Sequence, residues 1–412
     1  MELFGDFHIH GRYAQACSKL TTLEDLERNS RIKGLNVLGT GDAQHPKWRT
    51  EEIDKKLTED ENGILWTKTK FPFILTTEIA LFYSQGGKGR KVHQVVLLPN
   101  KEILDQFRDA LLKKGRIDYD GRPIFGMSSI EFVDFVRAIS PDIEIIPAHV
   151  WTSWMAIFGS KSGFDSVEEC FEDNAKHIHA LETGISSNPA MNRRISSLDK
   201  YNLVSFSDPH SSHPSRLGRE STMFNIKKLT YKEILNAIRT GEGLKGTIEC
   251  NPEYGKYHYD GHRNCNVYLT PAESRKLNGI CPKCKQPLTI GVEYRIEQLA
   301  DREKPINVPY SKEVLPLHEL IKSIYGMQSF TSKKIQGLYD NLIKNFKSEY
   351  NILLNCQEDD LKKVVHPNLA KVILLNRENK IKIKPGYDGV YGELQIEDLQ
   401  IKEKPQKSLK DF

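Results

Sequence analysis

Residues 3–10 read LFGDFHIH, a short apolar run that ends on two histidines. Such a run is typical of a buried strand, on which His8 and His10, two positions apart, point to the same face. Later apolar runs also carry polar residues at one end. These residues are Asp42 and His45 in GLNVLGTGDAQHP, Glu78 in FPFILTTE, His93 in KVHQVVLLP, His149 in IEIIPAHV, and Asp208 and His210 in SFSDPHSSHP.

The apolar runs alternate with helix-like stretches such as TTLEDLERNSRIK, SSIEFVDFVRAIS and DSVEECFEDNAK. Strands that alternate with helices indicate an α/β fold with parallel strands. In a barrel of this kind the carboxyl ends of the strands meet at one rim. We therefore expect the polar residues to share one cavity.

The polar residues combine imidazoles with carboxylates, the ligands that zinc, manganese and iron take in proteins. One histidine at a strand end is more often a structural residue than a ligand. Recurrence of such residues at successive strand ends favours a site that holds more than one metal ion.

The composition is that of a globular protein. Of the 412 residues, 38% are hydrophobic and 28% charged, and the mean hydropathy is −0.51. No run approaches a membrane span, and the start MELFGDF carries acidic residues where a signal peptide needs basic ones. We expect a cytosolic (cytoplasmic) protein without a membrane partner. The net charge of +4 is compatible with a nucleic-acid partner but does not demonstrate one.

A cysteine cluster lies in the middle of the chain. GHRNC followed by CPKC has the H-x2-C and C-x2-C spacing of a tetrahedral zinc site. Cys250 and His258 are competing ligands that lack this paired spacing. Zinc here would fold a small module that cannot build a core alone. The predicted ligands are His262, Cys265, Cys281 and Cys284.

Changes in composition divide the chain into four parts. Residues 1–245 carry the alternating pattern, and residues 246–300 are rich in glycine, tyrosine, asparagine and cysteine. A helical period returns over residues 301–400, which are expected to form a helical DNA-binding region. Within it, KIKIKPGYDGVYGEL is typical of a hairpin around Gly386 to Gly392. Residues 401–412 are expected to form a charged, flexible tail.

The HxH sequence, the later acids and histidines, and the DPH sequence resemble the polymerase and histidinol phosphatase (PHP) family of metal-dependent phosphoesterases. The resemblance implies a distorted (β/α)7 barrel with up to three metals at the carboxyl ends of its strands. Many members have another histidine after HxH, and a TDH sequence, where this chain has GRYAQACS and GDAQH, a departure that affects the third site. The implied ligands are His8, His10, Glu78 and Asp208 for one metal, Glu78, His93 and His149 for a second, and His45 and His210 for a third.

With the cysteine module and the helical region included, the whole chain resembles the endonuclease Q family of DNA repair enzymes. This resemblance implies an enzyme that nicks double- or single-stranded DNA on the 5′ side of hypoxanthine, uracil, xanthine and abasic sites. It also implies two or three divalent metals in the barrel, drawn from zinc, manganese, magnesium and iron, and one structural zinc.

Three of the implied ligands have catalytic roles in this interpretation. A metal-bound water supplies the nucleophile. Glu78 has two oxygens with which to bridge two metals, and Asp208 binds metal and orients the water. Where the third metal is absent, His210 is expected to protonate the departing 3′ oxygen.

The segment HVWTSWMAIFGSKSGFDS follows His149 directly, so its loop is expected to overhang the metals. Its tryptophans can stack on a base or fill the gap that the base leaves, and GSKSG can contact phosphates or base edges. Alternatively, both tryptophans are core residues that close the barrel. The candidate DNA-binding residues are Trp151, Trp154, Ser160, Lys161 and Ser162.

Two other functions fit parts of the sequence. A phosphomonoesterase of the histidinol-phosphatase class uses the same barrel chemistry, but has no evident use for the cysteine module and the helical extension. A DNA-binding adaptor with a degenerate barrel conflicts with the nearly complete ligand set.

The last seven residues, QKSLKDF, resemble the peptide with which repair enzymes bind the replication sliding clamp. In a helical turn Leu409 and Phe412 lie on one face, with Gln406 near it. Such anchors can fill an apolar groove on a partner. The alternative is a disordered terminus that matches three positions by chance.

Overall fold

The computed structural model describes residues 1–330 and 332–401, which form a mixed α/β structure. The strands of the first 250 residues are β1 (Glu2–Asp6), β2 (Val37–Gly39), β3 (Thr58–Glu59), β4 (Leu65–Trp66), β5 (Pro72–Gln85), β6 (Lys88–Leu98), β7 (Ile124–Phe125), β8 (Glu144–Pro147), β9 (Ala180–Glu182), β10 (Asn202–Val204), β11 (Ser221–Asn225) and β12 (Leu244–Glu249). The helices between them are α1 (Leu23–Lys33), α2 (Pro46–Trp48), α3 (Asp54–Lys56), α4 (Lys101–Leu112), α5 (Ser129–Ile139), α6 (Val167–Phe171), α7 (Pro189–Asn192) and α8 (Tyr231–Thr240).

Strands β1, β2, β5, β6, β8, β9 and β10 enclose a barrel. Strands β1, β2 and β5 are parallel neighbours, and so are β9 and β10. A hydrogen bond of 2.9 Å from Asp208 N to His8 O joins the chain after β10 to the chain after β1. The expected fold, a distorted (β/α)7 barrel, is confirmed.

The expectation that all barrel strands run parallel is wrong for β6. This strand pairs antiparallel with β5, where Glu78 lies opposite Val95, and also with β8. Gly86 and Gly87 connect β5 to β6 with φ angles of 61° and 71°, the left-handed backbone that tight hairpin turns require. Glu78 therefore lies within a long strand and not at a strand end.

The barrel interior is apolar except at its carboxyl-end rim. Helix α8 packs its apolar face into the same buried cluster and closes the opposite end. Each barrel strand, or the residue directly after it, contributes at least one buried side chain to this interior, and these include Phe7, Val37, Ile74, Val95, Ile146, Ala180 and Val204.

The remaining chain packs against the barrel. The main sheet continues past residue 245, because β12 pairs with β11 and with β15 (Ser311–Glu313). The predicted hairpin around Gly386 is confirmed by the antiparallel pairing of β16 with β17. These elements are β13 (Asp260–His262), β14 (Val267–Leu269), α9 (Pro271–Lys276), α10 (Val292–Leu299), β15 (Ser311–Glu313), α11 (Leu317–Ile324), α12 (Lys333–Phe346), α13 (Glu349–Leu354), α14 (Glu358–Lys362), α15 (Pro367–Arg377), β16 (Lys382–Lys384) and β17 (Glu393–Gln395).

A buried ion pair fixes the helical region to the barrel. The Lys33 ammonium on α1 lies 2.7 Å from Glu349 on α13, and both side chains are at most 1% exposed. Tyr339 donates a hydrogen bond of 2.8 Å to the other Glu349 oxygen. Such a pair requires the two partners together, because either charge alone would be buried without compensation. No helix among the described residues is long and apolar enough to cross a membrane.

Candidate metal centre

The barrel rim brings together two groups of metal-binding side chains. The first group is His8, His10, Glu78 and Asp208, and the second is Glu78, His93 and His149. Within each group, the ligand atoms lie within 4.8 Å of one another. The groups coincide with the two ligand sets that the PHP resemblance implies for the first and second metals.

Glu78 belongs to both groups because its two carboxylate oxygens face different histidines. Oε2 lies 3.4 Å from His8 Nε2 and 3.1 Å from His10 Nε2. Oε1 lies 2.7 Å from His93 Nδ1 and 3.4 Å from His149 Nε2. This is the arrangement that a carboxylate needs to bridge two cations.

The atoms that face the cavity fit divalent metals. Buried polar atoms normally have hydrogen-bond partners, because desolvation without one costs roughly 1–3 kcal/mol. Here imidazole nitrogens and carboxylate oxygens, the usual ligands of zinc and manganese, converge at short distances but without hydrogen bonds of acceptable geometry. The buried unpaired atoms, among the described residues, include His8 Nε2, His10 Nε2, Glu78 Oε1, His93 Nδ1 and Asp208 Oδ1.

A second layer of carboxylates orients two of the histidines. Glu182, the last residue of β9, lies 2.9 Å from His8 Nδ1. Asp42 lies 3.0 Å from His10 Nδ1 and also accepts a hydrogen bond of 2.6 Å from the Gly11 amide. These contacts turn both Nε2 atoms toward the cavity, as carboxylate–histidine pairs do in metal sites. Asp42 therefore positions His10, and both of its oxygens are engaged.

Three residues of the site have a left-handed backbone that is uncommon outside glycine. The φ angles are 46° at Asp42, 31° at His149 and 43° at Asp208. A backbone of this kind costs on the order of 1–3 kcal/mol per residue and is concentrated at functional sites. The amide of His149 is held by a hydrogen bond of 2.6 Å to Glu182.

Glu78, Asp208 and His93 are in protonation states that suit metal binding. Burial opposes ionisation of Glu78, yet the electrostatic interactions with His93 and with the Arg122 guanidinium hold its pKa well below its usual range. Burial likewise opposes ionisation of Asp208, whose pKa is nevertheless held well below its usual range by His8 and His10. Burial lowers the pKa of His93 to about 4, which leaves this imidazole neutral at physiological pH. Ionised carboxylates and neutral imidazoles are the protonation states that bind metals.

Two residues of the site were absent from the sequence-based prediction. Glu182 ends the apolar run HALE, so the rule that found Glu78 would also have found it. Arg122 lies in a loop before β7, and its guanidinium is 3.1 Å from Glu78 Oε2. No pattern in the sequence indicates that this arginine reaches the cavity.

His45 and His210 lie outside the two groups. His45 accepts a hydrogen bond from the Trp48 amide at the start of α2, and its other ring nitrogen lies 3.2 Å from the Asp118 carbonyl. Both ring nitrogens are therefore in contact with the protein. The His210 ring lies 5.0 Å from the His10 ring, with its side chain 35% exposed at the rim. Among the described residues, no third ligand group includes either histidine.

The two candidate tryptophans in the loop after His149 differ in exposure. Trp151 is 1% exposed, donates a hydrogen bond of 2.8 Å to Asn192 and packs against Phe158, so it belongs to the core and is not accessible to a base in this conformation. Trp154 is 37% exposed and its ring lies edge-on to Tyr257.

The GSKSG segment is partly engaged with the protein itself. Ser160 donates to the Ile290 carbonyl and Ser162 to the Lys91 carbonyl. Lys161 is exposed and lines a groove between the barrel and the cysteine module, together with Lys88 and Asn278. Of this segment, Lys161 is the side chain most available to a nucleic acid.

The four predicted zinc ligands come together, and both competitors lie elsewhere. The ligand atoms of His262, Cys265, Cys281 and Cys284 are within 4.8 Å of one another. A tetrahedral zinc with thiolate ligands would place them about 3.8 Å apart. Cys250 is buried beside the Arg219 carbonyl, and His258 is buried without belonging to a ligand group of the described chain.

The cysteine module also has a thiol that is ready to bind metal. A hydrogen bond from the Cys284 amide lowers the pKa of Cys281 to about 7. The lowered pKa favours the thiolate, the form that binds zinc. The three cysteines Cys265, Cys281 and Cys284 pack against Val267 and Leu288, which is a small apolar core for a module of this length.

Two solved structures resemble this chain over nearly its whole length. A crystal structure of the lesion-specific endonuclease PfuEndoQ from Pyrococcus furiosus superposes with a TM-score of 0.85 and 31% identity, covering 100% of this chain and 98% of that one. A structure of endonuclease Q in complex with a 27-mer duplex substrate that carries an abasic lesion superposes with a TM-score of 0.86 and 32% identity. The match covers 97% of this chain and 98% of that one.

Two further matches concern parts of the chain. Residues 316–380 match the family described as the MJ0043 C-terminal domain. The uncharacterized protein MJ0043 of Methanocaldococcus jannaschii is 33% identical over 264 residues, which span 62% of this chain but only 32% of that longer protein.

The barrel, its candidate metal centre and these matches define the class of protein as an endonuclease, a hydrolase that acts on DNA. The chain belongs to the endonuclease Q family.

Proposed function

We propose that this chain is a metal-dependent DNA repair endonuclease that nicks the phosphodiester bond 5′ of deaminated bases, namely hypoxanthine, uracil and xanthine, and of abasic sites. The observation that carries the proposal is the division of Glu78 between two histidine groups in a buried cavity. The abasic duplex bound by the endonuclease Q relative supports DNA as the substrate.

Two divalent metals, held by the two ligand groups, would lower the pKa of a bound water and neutralise charge on the phosphate. Glu78 would fix the distance between the two metal positions, because each of its carboxylate oxygens belongs to one ligand group. Glu182 and Asp42 hold His8 and His10 in the ring orientation that binds metal. The candidate metals for these two positions are zinc, manganese, magnesium and iron. For a third metal, the proposed ligands are His45 and His210.

Asp208 and His210 lie on the solvent side of the centre. Asp208 is 28% exposed at its side chain, so one of its oxygens can bind metal while the other orients the attacking water. Where the third position holds no metal, we assign His210 the donation of a ring proton to the departing 3′ oxygen. Burial lowers the pKa of His210, so this donation depends on the neighbouring phosphate charge to keep the ring protonated.

The surface around the rim offers contacts to DNA. Trp154 and Lys161 both lie in the loop that follows His149, and both side chains are exposed. A flipped nucleotide has to leave the stack at a cost of roughly a few kcal/mol, which is smaller where the base is missing or mismatched. We assign Trp154 to the base or its gap and Lys161 to a phosphate.

The cysteine module would hold one structural zinc through His262, Cys265, Cys281 and Cys284. The four ligands lie on β13, the turn after it and the CPKC turn, which are otherwise joined by few apolar contacts. Zinc would therefore supply much of the folding free energy of this module. The sliding-clamp peptide with Gln406, Leu409 and Phe412 lies outside the described residues and remains a proposal based on the sequence.

The activity is tested by incubating the protein with Mn²⁺, Mg²⁺ or Zn²⁺ and end-labelled duplexes that carry one hypoxanthine, uracil, xanthine or abasic site. An undamaged duplex and a phosphomonoester serve as controls. We expect a nick at the 5′ side of each lesion, no nick in the undamaged duplex, and no release of phosphate from the monoester. Phosphate release without nicking would instead support the phosphomonoesterase alternative.

A further inference from the structure

The loop between β16 and β17, residues 386–392 (GYDGVYG), is built against the chain that leads into the cysteine module. Backbone hydrogen bonds of 2.8 to 3.0 Å connect Gly386 to Glu253 and Tyr259, Gly389 to Lys256, and Gly392 to Tyr254. The backbones approach so closely that a Cβ atom at Gly386 would lie 2.2 Å from the Gly255 oxygen. The loop is therefore held in one place, and so is Tyr391 within it.

Tyr391 is surrounded by three cations that come from two parts of the chain. The Lys256 ammonium lies 4.7 Å from its ring centre, and the Arg216 guanidinium lies 5.4 Å from it. Burial would raise the pKa of Tyr391, but the charges of Arg219, Arg216 and Lys256 lower it overall. The ring stacks on buried Tyr254 at 5.2 Å. We call Arg216, Arg219 and Lys256 the cation trio.

The cation trio reaches the metal centre. Arg219 donates a hydrogen bond of 3.1 Å from Nε to the carbonyl of Ser207, the residue before the candidate ligand Asp208. The trio thus extends from Arg219, beside the residue that precedes Asp208, to Lys256, which is exposed.

The positive charge of the trio is only partly compensated. Arg216 has one carboxylate near it, Glu319 at 3.7 Å. Among the described residues, no carboxylate lies within 4.0 Å of the Arg219 guanidinium or the Lys256 ammonium. Arginines and lysines with few close carboxylate partners, next to an aromatic ring, are typical of a surface that binds the backbone of a nucleic acid.

On the basis of the proposed function, we infer that the cation trio and Tyr391 form a clamp for the phosphates of the DNA strand that enters the metal centre. Tyr391 is the platform that holds Arg216 and Lys256 at a fixed separation through its π face. The clamp binds phosphates and reads no base, so it acts equally on damaged and undamaged duplexes.

The test is the salt dependence of duplex binding, measured by fluorescence anisotropy in EDTA so that no strand is cut. Each lost phosphate contact should reduce the slope of log K against log salt concentration by about 0.9. We expect this reduction for Lys256→Gln and for Arg216→Gln, with equal loss of affinity on abasic and undamaged duplexes. Lys256→Arg should restore the wild-type slope, because it keeps the charge.

The matched control is Lys232→Gln, since Lys232 is also exposed but lies on α8 at the closed end of the barrel. Its slope should equal that of the wild type. Tyr391→Phe should keep the wild-type slope and Tyr391→Ala should reduce it, because only the second change removes the ring.

An unchanged slope in Lys256→Gln, a surface change that leaves folding intact, would overturn the clamp whatever the other variants show. This outcome is separable from failure of the proposed function. If the slope falls but the wild type nicks no lesion, the clamp stands and the proposed cleavage is wrong. If lesions are nicked and the slope is constant, only the clamp is wrong.

Discussion

Glu78 and His93 lie 2.7 Å apart through Oε1 and Nδ1, while the other oxygen of Glu78 faces His10 at 3.1 Å. One side chain thus connects two otherwise separate histidine groups. The two positions are coupled because neither group is complete without this carboxylate. A change at Glu78 should therefore affect more than one metal.

The first prediction concerns metal content. Glu78→Gln should lower bound Mn²⁺ or Zn²⁺ in the barrel by more than one equivalent, because an amide cannot bridge two cations as a carboxylate does. Equilibrium dialysis followed by elemental analysis measures the change. Glu242→Gln, an exposed carboxylate beyond the end of α8, is the control and should bind as the wild type does. A loss of one equivalent or less would show that Glu78 does not bridge.

The second prediction concerns protons. Burial opposes protonation of His8 and His10, but Glu182 and Asp42 among other carboxylates raise the pKa of each ring well above its usual range. Both rings are thus protonated in the metal-free protein and have to lose a proton to bind metal. Calorimetry in buffers of different ionisation enthalpy should show proton release on metal binding. The same heat in every buffer would contradict this protonation state.

The third prediction concerns the cysteine module. The double variant Cys281→Ser, Cys284→Ser should lose one zinc and show increased protease sensitivity within residues 246–300, because the metal holds the module folded. Cys250→Ser is the matched control, since Cys250 is buried outside the cluster, and it should keep its zinc. Zinc loss in the control but not in the double variant would reverse the ligand assignment.

The fourth prediction concerns stability and pH. Burial raises the pKa of Glu249 well above its usual range and that of its neighbour Glu220 to about 7. A raised pKa means that the folded protein binds more protons than the unfolded chain, so stability falls as pH rises from about 4.5 through about 7. Glu249→Gln should therefore raise the melting temperature at pH 8 and have a smaller effect at pH 5. An equal change at both values would show that Glu249 is ionised throughout.

Patterns with strict spacing predicted much of the site. HxH, DPH and CPKC identify His8, His10, Asp208, Cys281 and Cys284, because side-chain direction in a strand or tight turn follows from position in the sequence. The α/β class also followed from the alternation of strands and helices. In each case one local rule connects sequence to geometry.

The remaining features depend on contacts between distant parts of the chain. The direction of β6 depends on the Gly86–Gly87 turn, which shortens the connection from β5 and excludes a crossover helix. Arg122 reaches Glu78 only because its loop folds over the rim, and Trp151 is buried because α7 supplies Asn192 as its partner. His45 precedes a proline at the start of α2, where its ring caps the helix in preference to the cavity.

The central claim is that the two ligand groups hold the metals that cleave DNA, and Asp208→Asn tests it most directly. The measurement is nicking of an end-labelled abasic duplex under single-turnover conditions, together with duplex affinity in EDTA. We predict that nicking is lost while affinity stays near that of the wild type, because the substitution removes a charged metal ligand and leaves the basic surface intact. Nicking within about tenfold of the wild type, a change of only ~1.4 kcal/mol in the barrier, would contradict the account.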